Sequence, residues 1–266
     1  MSQESERASS ANRRLREAVS SLRLGEYPHG DLPLDIWVNL ARACLIAWVD
    51  DAARCCDRIA NTVPRLRDHE RNAKTIAALE EALWRLDSGR EKLEAVFSLA
   101  FGLPSLRLYK TGVLFEPNMK QIRLKLKELG KHNESARELS EIGRSLAEHP
   151  AIQLRHQLIH QLSPAGSLAA LCLIDVAHVR EQSIVAWETS QLYAEETLNY
   201  GSIADDDRWA RATHWVEECL DLLLRSVELL ATIVNDLGVL EPPQAVYKQD
   251  GTGVVSLTHP SRPIPD

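Results

Sequence analysis

The sequence predicts a mostly all-α protein, an antiparallel helical bundle whose sites lie between facing helices. Three observations carry that reading. Apolar residues, 44% of the chain, recur at three- and four-residue steps over four long stretches. Those stretches end at glycine or proline signals. With only 12 glycines and 12 prolines in 266 residues, the chain is also too poor in turn formers for an all-β fold.

Residues 1–30 are rich in Ser, Glu and Arg and are expected to be a polar, loosely ordered N-terminal segment. Residues 31–240 make the helical domain. Its first helix runs from about Leu34 to Ile59 through Trp37, Leu40, Ala41, Cys44, Trp48, Ala52 and Cys55, with Pro33 near its start and Pro64 beyond its end. A second, from about Asn72 to Phe101, carries Leu79, Leu83, Leu86, Leu93, Phe97 and Ala100 and stops at Gly102-Leu103-Pro104. A third spans roughly Pro117 to Glu148 through Ile122, Leu126, Leu129, Ala136, Leu139, Ile142 and Leu146, with a bend near Gly130. A shorter helix is expected between His149 and Ser163. The last runs from about Asp205 to Leu237, with Asp205-Asp206-Asp207 at its positive end and Gly238 as its cap.

Two segments are less plain. The run Leu171-Cys-Leu-Ile-Asp-Val-Ala-His-Val fits both a strand and a helix, and a small β-hairpin near 168–190 is the reading adopted. Residues 241–266 are expected to be a Pro-rich tail, loose or forming a small surface hairpin at its one Asp-Gly turn.

Charge and cysteine usage exclude some classes. The 31 Lys and Arg against 38 Asp and Glu give −7, so general adhesion to nucleic acid or anionic membrane is not expected. RNA held in a local pocket stays open. Cys44, Cys55, Cys56, Cys172 and Cys219 are odd in number and lack a C-x-x-C pair, which suits a reduced, cytoplasmic protein. The first residues lack the apolar run of a secretory leader, and Arg13-Arg14 is not followed by one. Between Leu220 and Leu240, the residues Asp221, Arg225, Glu228, Asn235 and Asp236 preclude a membrane span.

The chemistry concentrates in Leu154-Arg155-His156-Gln157-Leu158-Ile159-His160. At about 100° per residue on a helix, Leu154, Leu158, Ile159 and Leu162 share one face. Arg155 falls in the middle of that face, and His156 and His160 adjoin it. An arginine within an apolar stripe needs a carboxylate, an interface or a ligand, or else it snorkels to solvent. Geometry leaves these readings open.

Arg155, four intervening residues and His160, with polar His156 directly after the arginine, resemble the Arg-x4–6-His motif of the HEPN superfamily. The run Leu86-Asp-Ser-Gly-Arg-Glu-Lys-Leu-Glu-Ala-Val-Phe is similar to that family's upstream helix, and the resemblance covers roughly Leu34 to Leu237. It implies an all-helical, dimeric, metal-independent endoribonuclease with a toxin or antiphage role, and with Arg155, His160 and His156 as catalytic residues. RNA is then the substrate, an antitoxin or regulatory protein a further partner, and no cofactor is needed. Some members carry a tyrosine two residues after the histidine that a nucleotidyltransferase antitoxin modifies; Leu162 stands there in this chain.

The mechanism so implied is chemically coherent. A base takes the 2′-hydroxyl proton, an acid serves the leaving oxygen, and a fixed cation stabilises the phosphorane. Histidine fills the first two roles near neutrality and arginine the third. Since Arg155 and His160 lie about 140° apart on one ideal helix, a two-fold dimer that brings two motifs into one cleft is part of the expectation.

Further candidates surround this motif. Arg90 breaks the apolar series of the second helix beside Asp87, Glu91 and Glu94, and a carboxylate there, Glu91 first, is expected to hold Arg155; a solvated face with ion pairs is the bland alternative. Lys120, Arg123, Lys127 and Lys131 fall near one helix side and suit an RNA backbone, against the commoner reading of solvated charge. The tryptophans, Trp37, Trp48, Trp84, Trp209 and Trp215 among them, sit at core spacings. His156 and His160 have a zinc-like H-x3-H spacing, but Gln157 replaces the zincin glutamate and no third ligand is evident, so no metal is expected. A catalytically silent dimer of the same type, binding nucleotide, RNA or a partner protein, is the main alternative. A purely structural adaptor is the third.

Overall fold

The computed structural model describes residues 3–24, 34–67, 73–103, 105–109, 112–116, 119–152, 206–240, 245–250 and 253–258. Among these the chain is mostly helical, as the apolar spacing predicts. In order they form α1 (Gln3–Ser21), β1 (Arg23–Leu24), α2 (Leu34–Arg67), α3 (Ala73–Ala100), β2 (Ser105–Tyr109), β3 (Gly112–Glu116), α4 (Met119–Leu129) and α5 (Glu134–Glu148). Then follow α6 (Asp206–Leu237), β4 (Val239–Leu240), β5 (Ala245–Asp250) and β6 (Gly253–Thr258).

The N-terminal segment is not loosely ordered, as expected, but helical from Gln3 to Ser21. Ala8, Ala11, Leu15 and Ala18, with Leu22 just past the end, are buried along one stripe. The stripe is mostly alanine, so its bulk hydrophobicity is low although its helical period is clear. Asn12 is buried on the same helix and donates from Nδ2 to the carbonyl oxygen of Ala53 (3.4 Å).

The first predicted helix is longer than its sequence signals suggest. α2 continues through Pro64 to Arg67. A proline in a helix interior costs about 3 kcal/mol. Val63 and Leu66 are fully buried beside it, and such burial contributes about 1.5–3 kcal/mol per side chain. The last turn therefore forms despite the missing amide. α3 ends where expected: Leu103 N–H donates to the Ser98 carbonyl (2.8 Å) and Gly102 N–H to that of Leu99 (3.2 Å), with Gly102 at φ 60° and Leu103 buried. This pair of bonds is a Schellman cap, which only a residue tolerant of positive φ completes cheaply.

The third predicted helix is two. α4 stops at Leu129, and α5 starts anew at Glu134. A Cβ at Gly130 would lie 3.1 Å from the Leu126 carbonyl oxygen and 3.2 Å from the Cα of Arg137, so the chain reverses closely at glycine. Asn133 then caps α5, its Oδ1 accepting from Ala136 N–H (3.0 Å). α6 matches its expected limits, and Gly238 at φ 65° closes it.

The tail is not loose. β5 and β6 pair antiparallel from Ala245↔Thr258 to Asp250↔Gly253, in keeping with the Asp-Gly turn signal. β5 also runs parallel to β2, whose hairpin with β3 the sequence reading passed over, and the four strands lie in the order β3-β2-β5-β6. A second, two-stranded pairing joins β1 to β4 in parallel. The hairpin expected near 168–190 lies outside the described residues.

Two compact units partition the chain: Met1–Ser9, Arg54–Gly89 and Ile142–Arg225 form one, and Ser10–Ala53, Arg90–Glu141 and Ser226–Asp266 the other. In the first, Cys56, Ile59, Val63, Leu66, Leu79, Leu86, Leu220 and Leu223 are buried to within two percent. Gly89 allows close packing there, since a Cβ on it would fall 2.9 Å from Leu223 Cδ2 and 3.3 Å from Cys55 Cβ. In the second, Leu15, Leu45, Val49, Val96, Leu99, Val227, Leu230 and Val234 are the buried side chains, and the Phe97 and Phe101 rings pack 4.6 Å apart. No helix among the described residues is long and apolar enough to cross a membrane.

Candidate functional site

Arg155, His156 and His160 lie outside the described residues; what is described is the approach to them. α5 ends at Glu148, and Pro150, Ala151 and Ile152 open a new helical turn, as the sequence predicts for a helix starting after His149. Proline suits this first position because its missing N–H has no helical partner to lose. His149 is the cap. Its Nδ1 accepts from Ala151 N–H (3.2 Å) and its carbonyl oxygen from Ile152 N–H (3.0 Å). Ala151 and Ile152 are buried.

The other ring nitrogen of His149 faces α6. Nε2 lies 3.5 Å from Oε2 of Glu218, whose Oε1 is 3.2 Å from Nε2 of His214 one turn earlier on the same helix. One carboxylate thus meets two imidazoles. His149 is nearly buried, and burial lowers its pKa below the ordinary histidine value; Glu218 pulls it upward and His214 pushes it down. His214 stands open to solvent.

The α3 carboxylates sort differently from the sequence ranking. Glu91, the first choice to hold Arg155, has an exposed side chain, whereas Asp87 is fully buried. Arg90 is committed to Glu94 one turn on, at 2.7 Å and largely shielded from solvent. On an ideal helix the two lie only about 40° apart, so helical period alone does not separate the buried carboxylate from the exposed one. The distinction lies in the packing: Asp87 stands between Leu86 and close-packed Gly89, both of them buried. Trp84, expected in the core, is 44% exposed instead. It lies with Glu80, Glu81, Arg85 and Ser88 along an open groove, and partial burial raises the Glu80 pKa.

The basic row of α4 is drawn together as its spacing predicts. Lys120, Arg123 and Lys127 on the helix and Lys131 in the turn after it are all exposed, and none pairs with a carboxylate among the described residues. Steps of three and four residues set neighbours about 4.5–6 Å apart along the axis. Lys125, in the same run, lies off the row, with Nζ 5.6 Å from the Phe101 ring centroid. Leu124 is half exposed and adds an apolar element to the basic face.

Other cations hold helices together. Arg67 reaches Glu217 of α6 (2.6 Å) and Glu4 of α1 (2.9 Å), Arg7 pairs with Asp221 (2.6 Å), and Arg16 with Asp50 (2.7 Å). Cys44, Cys55, Cys56 and Cys219 form no disulfide among the described residues, and burial pushes the Cys219 thiol up to about 12. Cys219 is a packing residue, since a thiol so hard to ionise is a poor nucleophile. No metal-binding group of three ligands occurs among the described residues. Comparison of the chain with protein-family models, curated proteins and solved structures finds no match.

Proposed function

We propose that the protein is a metal-independent endoribonuclease of the HEPN type, acting as a cytoplasmic homodimer in a toxin or antiphage role. The observation that carries the reading is the Arg155-His156-…-His160 sequence, beginning three residues after Ile152 in a mostly helical chain. The row Lys120, Arg123, Lys127 and Lys131, unpaired among the described residues, supports it, because a polyanionic substrate needs cations not already held in ion pairs. In a chain of net charge −7 such a row gives local attraction without general adhesion.

Arg155 holds the phosphate oxygens and balances the charge that develops on the phosphorane. His160 transfers the proton: one copy removes it from the 2′-hydroxyl while a second protonates the departing 5′-oxygen. The 2′-oxygen bonds to phosphorus as the P–O5′ bond breaks, leaving a 2′,3′-cyclic phosphate. His156 orients the phosphate or the partner's motif. Buried Asp87 takes precedence over exposed Glu91 as the carboxylate that steadies Arg155, and Arg90 is tied to Glu94.

The test uses RNA oligonucleotides in EDTA with purified wild type and with Arg155→Ala and His160→Ala. Cyclic-phosphate products from wild type alone support the reading. The alternative, a silent dimer that binds RNA or a partner protein, follows if wild type and variants bind RNA equally and none cleaves it; the α4 row favours RNA as that ligand.

A further inference from the structure

We infer that His149 is a positioning residue for the segment bearing Arg155 and His160. In its neutral form, with the proton on Nε2, it caps the helical turn at Pro150 and ties that turn to Glu218; a proton on Nδ1 releases the cap. The consequence for catalysis rests on the RNA-cleavage reading, whereas the cap does not.

Two hydrogen bonds define the state of the ring. Nδ1 accepts from Ala151 N–H, so its lone pair is in use and it carries no proton. The proton of the neutral ring therefore sits on Nε2, which faces the Glu218 carboxylate at 3.5 Å. Most helix caps are Ser, Thr, Asp or Asn, whose acceptor oxygens keep their lone pairs across the neutral range. An imidazole does not. When Nδ1 gains a proton, a donor faces a donor, the Ala151 amide loses its partner, and the buried start of the helix is left unsatisfied.

The surroundings set the direction of this switch. Among the described residues, the charged groups that act on the ring are Glu218 and His214, both from α6; on its own segment the neighbouring Glu148 points to solvent. Glu218 favours a proton on the ring, but it divides its carboxylate between the two histidines. Burial, the cap and His214 act against it, and together they prevail. The cap thus persists through the ordinary histidine range, near 6.5, and fails below it.

The experiment is an NMR titration of the full chain between pH 7.5 and 5, with wild type, His149→Asn and His149→Ala. At pH 7.5 the wild-type imidazole should carry its proton on Nε2. As pH falls below the ordinary histidine range, the Ala151 amide should lose about fivefold or more of its exchange protection. The amide signals of residues 153–160 should move with the same midpoint. Asparagine, a cap that does not titrate, should hold both readouts flat, and alanine should lose protection at every pH. A proton on Nδ1 at pH 7.5, an Ala151 amide indifferent to pH, or a 153–160 segment that ignores the cap would each overturn the inference. In a parallel RNA assay, both proteins should lose cleavage on the acid side as the His160 base is protonated, and the wild type should lose more than the asparagine variant. Absence of cleavage by every protein would sink the ribonuclease reading alone, because the amide signals still decide the role of His149.

Discussion

Arg67 and Lys127 are both exposed cations, yet the fold uses them in opposite ways. Arg67 bridges Glu4 and Glu217 and so joins α1, α2 and α6. Lys127 and its companions Lys120, Arg123 and Lys131 join nothing among the described residues. The difference is one of sequence context. Carboxylates stand opposite Arg67 on two other helices, whereas the α4 row has only Glu128 in its midst. Charge that closes a pair within the protein is spent on cohesion; charge left open is available to a ligand.

The strongest way to break this comparison is to reverse the open row. Replacing Lys120, Arg123, Lys127 and Lys131 by Glu should lower RNA affinity by about 100-fold or more at low salt, since several phosphate contacts are lost and repulsion replaces them. The melting midpoint should change little, because exposed sites without partners stay within about 0.5 kcal/mol. Filter binding and thermal melts on the same preparations check both halves. A large drop in stability with RNA binding intact would reverse the assignment of roles.

A finer test is the salt dependence. Four phosphate contacts to single-stranded RNA contribute about 0.7 each to the slope of log affinity against log salt. Changing the four residues to Ala should therefore flatten the slope by nearly 3 units on that scale. An unchanged slope would mean that the row is merely solvated.

Arg67→Ala sharpens the other side. Each partly exposed pair contributes about 0.2–1 kcal/mol, so loss of both should cost on the order of 1 kcal/mol by urea unfolding, with RNA affinity unaltered. The pH effect is smaller still. Because the folded state lowers the His149 pKa, the unfolded chain binds more protons below the ordinary histidine range. Stability should hold above that range and decline as pH falls through it, and His149→Asn should remove this component. A wild type that gains stability on acidification from pH 7 to 6 would contradict the sign.

The contrast also explains what the sequence makes legible. α2, α3 and α6 are readable because their large apolar residues repeat at helical spacing and because Gly102 and Gly238 mark their ends. α1 hides because alanine packs closely while contributing little hydrophobicity. β2 and β5 lie more than a hundred residues apart, so their parallel pairing has no local signal in either strand. The split at Gly130 depends on a contact with Arg137 across the turn, which periodicity does not report. At the candidate site, the basic row was visible in its spacing, but the burial that separates Asp87 from Glu91 was not. Nor was the His149 cap, whose signal is no more than a polar residue followed by proline. His149 matters through Ala151 and Glu218, one local partner and one some seventy positions away.

The central claim is RNA cleavage without metal at Arg155 and His160, and a single comparison tests it most directly. Total RNA is incubated in EDTA with the wild type and with His160→Ala prepared in parallel, and products are analysed for 2′,3′-cyclic phosphate ends. The account predicts cleavage by the wild type and a loss of about 10²- to 10⁴-fold in the variant, the range for removing a general acid–base group. Equal cleavage by both proteins, or none by a folded, dimeric wild type, would contradict it.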